Sequence, residues 1–359
     1  APPLDPDGPS SFFDSVRFLV DPSAAACVGG AARQTGADDL VPSEAAVVTG
    51  FVEDADGFGL GGVEVRVVGR PGHGVTRTAA DGRFFMVVNA GPAVVLELRA
   101  AGWLPSQRTL VVPRHQFTWA GRVVLVARSA QVTQIALGGD APQLARGAEV
   151  RDADGVRAAA VFVPPRTEAS LVMPDGGRVR AERLHLRLTE FTTTDRGLDR
   201  MPGTLPDASG YTYAIEVDTD EGVEAGARSV EFDRPVPLYV DNFLGFPVGT
   251  PVPLGSYDRA EGRWVAERDG RVIRVVGERG GLAEIDADGD GAADSDAALR
   301  DLGVTEDERR TLAGSYAVGA EIWRAPIEHL TPWDCNWPFG PPLGFLTPDF
   351  GLPTEDGSP

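Results

Sequence analysis

An aspartate-rich run, EIDADGDGAADSDAALRDLG, is the clearest chemical feature of this chain. Asp286, Asp288 and Asp290 fall at positions one, three and five of a twelve-residue frame, with Gly291 at six, Ala292 at seven and Asp294 at nine. Carboxylates at odd positions can turn inward on a hard cation. A backbone carbonyl at seven adds an oxygen, and glycine at six allows the sharp bend, so the spacing points to a calcium loop of EF-hand or dockerin type. Position twelve departs from that pattern: it is Ala297 where such loops carry a bidentate glutamate, so closure would fall to Asp296, Asp301 or water. Without an ion, carboxylates this close repel by on the order of several kcal/mol in aggregate unless they are solvated, and a plain acidic turn is the competing reading.

A second run, RAPIEHLTPWDCNWPFGPP at 324–342, concentrates rings and prolines. Trp323, His329, Pro332, Trp333, Asp334, Cys335, Asn336, Trp337, Pro338 and Phe339 lie in or beside it. Proline lacks the N–H that a helix interior or a central strand needs, so the run is expected to be irregular and wedged against something, a plug. Each buried ring would contribute roughly 150–250 Å² of contact. The competing reading is an irregular tail laid over the chain's own core.

Catalytic groupings are missing. Acid–base or nucleophilic catalysis needs a positioned carboxylate pair or a nucleophile with its base. The chain has no G-x-S-x-G and no H-E-x-x-H, and the histidine nearest Cys335 is His329 in a proline-rich run. A non-enzymatic protein is expected.

With 359 residues the chain is long enough for two or three domains, and 44 Gly and 29 Pro without a collagen period imply many short strands and turns. The balance of 33 basic and 53 acidic residues, net −20, argues against nucleic acid or an anionic membrane as partner. Every basic residue is arginine, which the base composition of a GC-rich genome would explain. Cys27 and Cys335 stand at opposite ends, and either one long-range disulfide or two thiols fits them. No run has the ~18 apolar residues of a membrane span, and the Ala-Pro-Pro start lacks a signal's charged and apolar regions. A removed signal, another export route or an excised piece would each explain that start. The linker-like end PTEDGSP favours the last.

The elements that must position these residues are mostly strands. Residues 1–45 read as an N-terminal arm whose apolar cluster, Phe12 to Val20, docks on a neighbour. Residues 46–128 give strand after strand between Gly-Asp and Gly-Gly turns, with Val63, Val65 and Val67 on one face, as in a small β-sandwich of about seven strands. Residues 129–234 read as a second sandwich, with hairpin turns after Asp154 and Asp175, alternating Leu184, Leu186 and Leu188, and a helical turn near Asp220. Tyr211 and Tyr213 are placed in a strand, as sheet-face packing. Residues 235–345 form the expected plug region, where prolines 235, 237, 247, 251 and 253 argue against a regular inner strand and Asp269-Gly270 suggests a hairpin. It also carries two short helices, one over 296–302 and one capped by Thr305 with Glu308. Residues 346–359 read as linker. The expected class is mostly β: tandem sandwiches, then an irregular plug with two short helices.

Gly50, Val52, Asp54, Gly57, Leu60, Gly62, Val63 and Val65, followed by Thr78, Asp81, Gly82, Arg83 and Phe84, form a pattern that resembles the carboxypeptidase regulatory-like, or transthyretin-like, sandwich. The resemblance implies a non-catalytic spacer or platform, with His73 and His115 as loop residues. Over a longer span, LTEFT at 188–192, MPGTLPDASGYTYAIEV at 201–217, PLYVDNFLGFPVGTPVPLGSYDR at 237–259 and IWRAPIEHLTPWDCNWPFGPP at 322–342 are similar to the region ahead of the shell in bacterial Rhs/YD-repeat proteins, relatives of teneurins and of insecticidal toxin-complex subunits. That resemblance implies a secreted or surface-exposed structural region that plugs and presents a β-cocoon formed by YD repeats of the same polypeptide or of a cleaved partner. The alternative is a secreted adhesion or carbohydrate-binding module with calcium-stiffened loops, presenting Trp103 or Trp119.

Overall fold

Seven short strands follow one another between Ala45 and Val124, several of them ended by turns in which a glycine takes positive φ, as at Gly69, Gly82 and Gly102. They are β1 (Ala45–Glu53), β2 (Glu64–Val67), β3 (Val75–Arg77), β4 (Arg83–Asn89), β5 (Gly91–Arg99), β6 (Ser106–Val112) and β7 (Phe117–Val124). The computed structural model describes residues 11–21, 33–193, 197–206 and 210–337. Cys27, Pro338, Phe339 and the expected linker lie outside the described residues.

Two sheets, ordered β4-β1-β7 and β3-β2-β5-β6, face each other across Val48, Val65, Phe84, Met86, Leu96 and Val123. The alternation expected of β2 is realised: Val65 and Val67 are buried while Glu64 and Arg66 are half-buried. The turn at Asp81-Gly82 needs its glycine. Gly82 has φ +88°, and a Cβ there would sit 2.2 Å from the Val52 carbonyl oxygen. Helix α1 (Ser11–Val16) and the turn after it dock on this sandwich, where Val16 and Leu19 are buried with Ala45, Val47 and Val87. The arm therefore covers a neighbour as expected.

The remaining strands build a second, larger sandwich, except for Val150–Asp152 and Gly155–Arg157, which pair only with each other as a separate hairpin. They run β8 (Thr133–Ala136), β9 (Gln143–Arg146), β10 (Val150–Asp152), β11 (Gly155–Arg157), β12 (Ala159–Val163), β13 (Ala169–Val172), β14 (Arg178–Ala181) and β15 (Arg183–Glu190). After α2 (Gly197–Arg200) come β16 (Ala214–Thr219), α3 (Asp220–Ala225), β17 (Ser229–Asp241), β18 (Pro251–Val252), β19 (Gly255–Asp258), β20 (Arg263–Ala266), β21 (Gly270–Arg279) and β22 (Leu282–Asp286). Helices α4 (Asp296–Asp301) and α5 (Glu306–Ser315) precede β23 (Glu321–Leu330) and β24 (Pro332–Asp334). One sheet has the order β14-β13-β17-β23-β21-β18, with β12, β9 and β22 attached, and the other β20-β19-β24-β16-β15-β8. Their shared core runs from Ile135 to Cys335 and includes Leu184, Leu186, Leu188, Leu238 and Trp323.

Several expectations are corrected here. The boundary drawn at 234/235 falls inside β17, so residues 129–234 and 235–345 are not separate units: both sheets mix strands from the two halves. The prolines do not exclude inner strands. Pro235 and Pro237 lie between the stretch of β17 paired with β13 (229–232) and the stretch paired with β12 (238–240). Pro326 lies beyond the stretch of β23 paired with β21 (321–324), directly opposite Pro237. Each ring occupies a place where no neighbour requires its N–H. The hairpin expected around Asp269-Gly270 is absent. Its two arms belong to different sheets, and β20 pairs instead with β19 across a turn in which Asp258 accepts from the Ala260 N–H at 2.8 Å. Tyr211 and Tyr213 precede β16, which begins at Ala214.

The two sandwiches are tied together by polar contacts. Tyr257 Oη donates to Gln107 Oε1 at 3.0 Å, Gln107 Nε2 donates to the Arg259 carbonyl at 2.9 Å, and Arg259 Nη1 reaches the Pro105 carbonyl at 3.0 Å.

Candidate functional site

Strand β22 ends on Asp286, which is buried at the mouth of the acidic loop. Both its oxygens already accept backbone N–H groups, from Gly289 at 2.7 Å and Gly291 at 3.0 Å, while Asp294 accepts from Ala287 at 2.7 Å. The loop packs closely on the preceding turn: Cβ atoms on Gly249 or Gly289 would come within 2.6 Å of the Asp288 oxygen or 2.5 Å of the Val248 oxygen. Asp286, Asp288 and Asp294 each bring one oxygen within 4.8 Å of the others, a set that suits a divalent cation whose remaining ligands are water. Asp290 is outside this set, and Asp296 is drawn away to Arg309 Nη1 at 2.7 Å. Ala297 is the second residue of α4, which Ser295 caps by accepting from the Ala298 N–H.

The ribbon 321–337 lies inside its own fold. Trp323 is buried, its Nε1 donating to Asn242 Oδ1 at 2.7 Å, with the rings of Tyr213, Phe243, Phe246 and Trp337 around it at 5.1–6.0 Å. Trp333 is buried, donates to the His329 carbonyl at 3.1 Å and stacks on the His329 ring. Pro332 and Cys335 are buried too, and burial pushes the Cys335 thiol far above its ordinary range, so it is no nucleophile. Cys335 is a free thiol. Asn336 closes the ribbon: its Oδ1 accepts from the backbone of Thr212 and Tyr213, and its Nδ2 donates to Asp334 at 2.8 Å. Trp337 stacks on Phe246 at 4.2 Å and stays half-buried. Trp323, Pro332, Trp333 and Cys335 are therefore spent on this chain's own core. The sequence suggested an irregular wedged strip, with a tail over the chain's own core as the competing reading, because it does not reveal which strands flank each proline.

Sequence reading missed the groups that fix the ribbon. Arg324 lies almost wholly buried on β23 and pairs with Glu308 of α5 through Nε–Oε1 at 2.6 Å and Nη2–Oε2 at 2.9 Å. Its remaining donors reach the Leu302 and Gly303 carbonyls that end α4. Tyr239 Oη donates to the same Glu308 at 2.5 Å. Thr305 caps α5 as expected, accepting from the Glu308 N–H, but the Glu308 carboxylate serves Arg324. A second missed network joins Asp152, Arg157 and Glu190, with Arg157 bidentate to Asp152 at 2.7–2.8 Å and its guanidinium over the Phe243 ring. Apart from Asp152 and Arg157, which face each other across the β10–β11 hairpin, these partners are distant in sequence, so no local spacing marks them.

His73 is buried in a turn, His115 lies in a loop, and His185 pairs its Nδ1 with Glu221 of α3 at 2.6 Å. Trp119 is 59% exposed on β7 beside Phe117, and Trp103 is half-buried.

Glu216, buried on β16 against Arg259, Asp218 and Arg128, has its carboxyl pushed up to about 7, chiefly by burial, although Arg259 opposes the shift. A carboxyl raised on folding stabilises the native state below its unfolded value, and that stability is lost as pH rises through the folded value. Stability should therefore decline from about pH 4.5 to about pH 7 through this site. Glu216→Gln should flatten that part of the urea-stability profile, and a profile of unchanged slope would refute the assignment.

The first sandwich has the transthyretin-like arrangement of two facing sheets, and comparison with known proteins agrees. Residues 40–125 match the family model described as the Teneurin TTR-like domain. Teneurin-3 of Danio rerio is 32% identical over 107 residues, which is 30% of this chain and 4% of that protein. Teneurin-4 of Mus musculus is 29% identical over 115 residues, 32% of this chain and 4% of that protein. The chain thus aligns with about 4% of the length of these relatives. Among solved structures, a streptococcal ancillary pilin is 14% identical, covering 50% of this chain and 59% of the pilin, at a TM-score of 0.18. That score is too low to bear on the fold. A Teneurin TTR-like region followed by a second sandwich makes this a structural β-protein. No described helix is long and apolar enough to cross a membrane.

Proposed function

We propose that this chain is a non-enzymatic, extracytoplasmic region that carries and closes the β-shell of a YD-repeat protein of the Rhs and teneurin kind. The ribbon is the observation that supports the reading. Strand β23 belongs to one sheet and β24 to the other, so the chain passing Trp337 leaves from a point clamped by both. Force or misalignment at that exit is then opposed by a whole core. The closing body in this reading is the second sandwich as a unit, with 321–337 as its anchor and not as a loose stopper. The Teneurin TTR-like match over 40–125 supports the same placement.

The test is the coding sequence after Pro359 together with co-elution. The expected result is a long run of YD repeats that, produced separately, elutes with residues 1–359. A different following domain, or repeats that elute alone, would overturn the proposal.

In the same reading, calcium stiffens the 286–294 loop through Asp286, Asp288 and Asp294. Adding calcium to chelated protein should raise the melting temperature, because a ligand bound only by the native state stabilises it by mass action. Asp286→Asn should abolish the rise. Superimposable melting curves with and without calcium would discard the site.

A further inference from the structure

A cleft of about 420 Å³ opens between the two sandwiches, a size that suits a small organic ligand, at the kind of domain junction where such sites occur. One wall is apolar, formed by Trp103 with Leu125 and Leu188. The other holds charge. Arg200, at the end of α2, is only 6% exposed, and its Nε donates to the Phe191 carbonyl at 3.0 Å. Among the described residues no carboxylate approaches its guanidinium within ion-pair distance, and its Nη1 and Nη2 donate to no protein atom. These two groups are not sealed in, since the buried polar atoms without a partner do not include them. Burial strips most of the water from this guanidinium, and only its cleft side stays open to a ligand. Burial accordingly lowers the pKa of Arg200 from its ordinary value even though Glu190 lies near enough to oppose the shift.

One neighbour sharpens the chemistry. Glu190 spends Oε1 on Arg157 and Thr192, while Oε2 accepts no hydrogen bond. The site therefore offers a donor-rich corner, one spare carboxylate oxygen and an aromatic wall. Planar guanidinium donors match a carboxylate in bidentate fashion, and the spare oxygen of Glu190 can accept from a hydroxyl.

We propose that the cleft binds a small organic carboxylate with an apolar body, its carboxylate on Arg200 and its ring or chain against Trp103. This goes beyond the shell-carrying role and does not depend on it.

Isothermal titration of the full chain with 3-phenyllactate provides the test, with its methyl ester and inorganic phosphate as comparisons. Saturable binding of the acid at millimolar concentration is expected, with little from the ester or from phosphate. Arg200→Gln should weaken it roughly tenfold to a hundredfold, the loss of a charge-assisted hydrogen-bonded pair, and Trp103→Leu should weaken it less. Circular dichroism checks that the variants fold, and the acid–ester comparison on unmodified protein decides the matter if they do not. Absence of saturable binding, an ester or phosphate that binds as well as the acid, or an Arg200→Gln variant with unchanged affinity would each overturn the proposal.

Discussion

Replacing Glu308 by alanine should lower the unfolding free energy by about 3–5 kcal/mol, measured by urea denaturation, because it strands a buried guanidinium. Arg324 and Glu308 are both almost wholly shielded from water, and their two-point contact joins α5 to the middle of β23. Without the carboxylate, Arg324 keeps only the Leu302 and Gly303 carbonyls, and the Tyr239 hydroxyl loses its acceptor. Removing both charges is a different experiment. Glu308→Leu combined with Arg324→Met should cost far less than the single change, since a buried ion pair contributes little net stability over an apolar pair of similar size. A Glu308→Ala loss below about 1 kcal/mol, the worth of an ordinary hydrogen bond, would mean that water reaches the pair and that α5 does not hold the ribbon.

The second large effect is expected at Trp323. Truncation to alanine should cost about 3–5 kcal/mol, combining lost transfer energy with the cavity left among Tyr213, Phe243, Phe246 and Trp337. Asn242 Oδ1 also loses the indole donor, although its Nδ2 still holds Phe246 and Glu321. Trp323→Phe keeps most of the packing and should cost clearly less. The local consequence separates this from general destabilisation. Trp337 rests on Trp323 and Phe246, so cleavage by proteinase K at Asn336–Trp337 should quicken under conditions where the rest of the chain stays intact. Equal cleavage in both proteins, together with a small stability change, would show that the aromatic cluster does not clamp the exit.

These effects arise at residues with different legibility in the sequence. The transthyretin-like sandwich could be read directly. Its strands are consecutive, its alternation is regular at Val63, Val65 and Val67, and its turns demand glycines such as Gly82. Helix α5 was equally plain, since Thr305 and the acidic first turn are local signals. The acidic loop was half legible. The spacing of Asp286, Asp288 and Asp294 survives, but Asp296 was lost to Arg309, which no local pattern announces.

The ribbon was misread for a definite reason. A proline is forbidden in a strand only where a neighbouring strand needs its N–H, and that depends on which residues the neighbour covers. In β17 and β23 the coverage stops before Pro235, Pro237 and Pro326, so two proline-bearing strands sit at the centre of a sheet.

By itself, the sequence determined the local quantities of this protein: strand period, turn glycines, helix caps, the acidic spacing and a β-rich class, all set by interactions among residues a few positions apart. Only the tertiary structure decided that the second and third expected units are one sandwich, that Trp323 and Trp333 face inward, and that Arg200 looks into a cleft where no carboxylate among the described residues lies against it. Those outcomes depend on contacts between residues tens to hundreds of positions apart, whose free energies no local window contains.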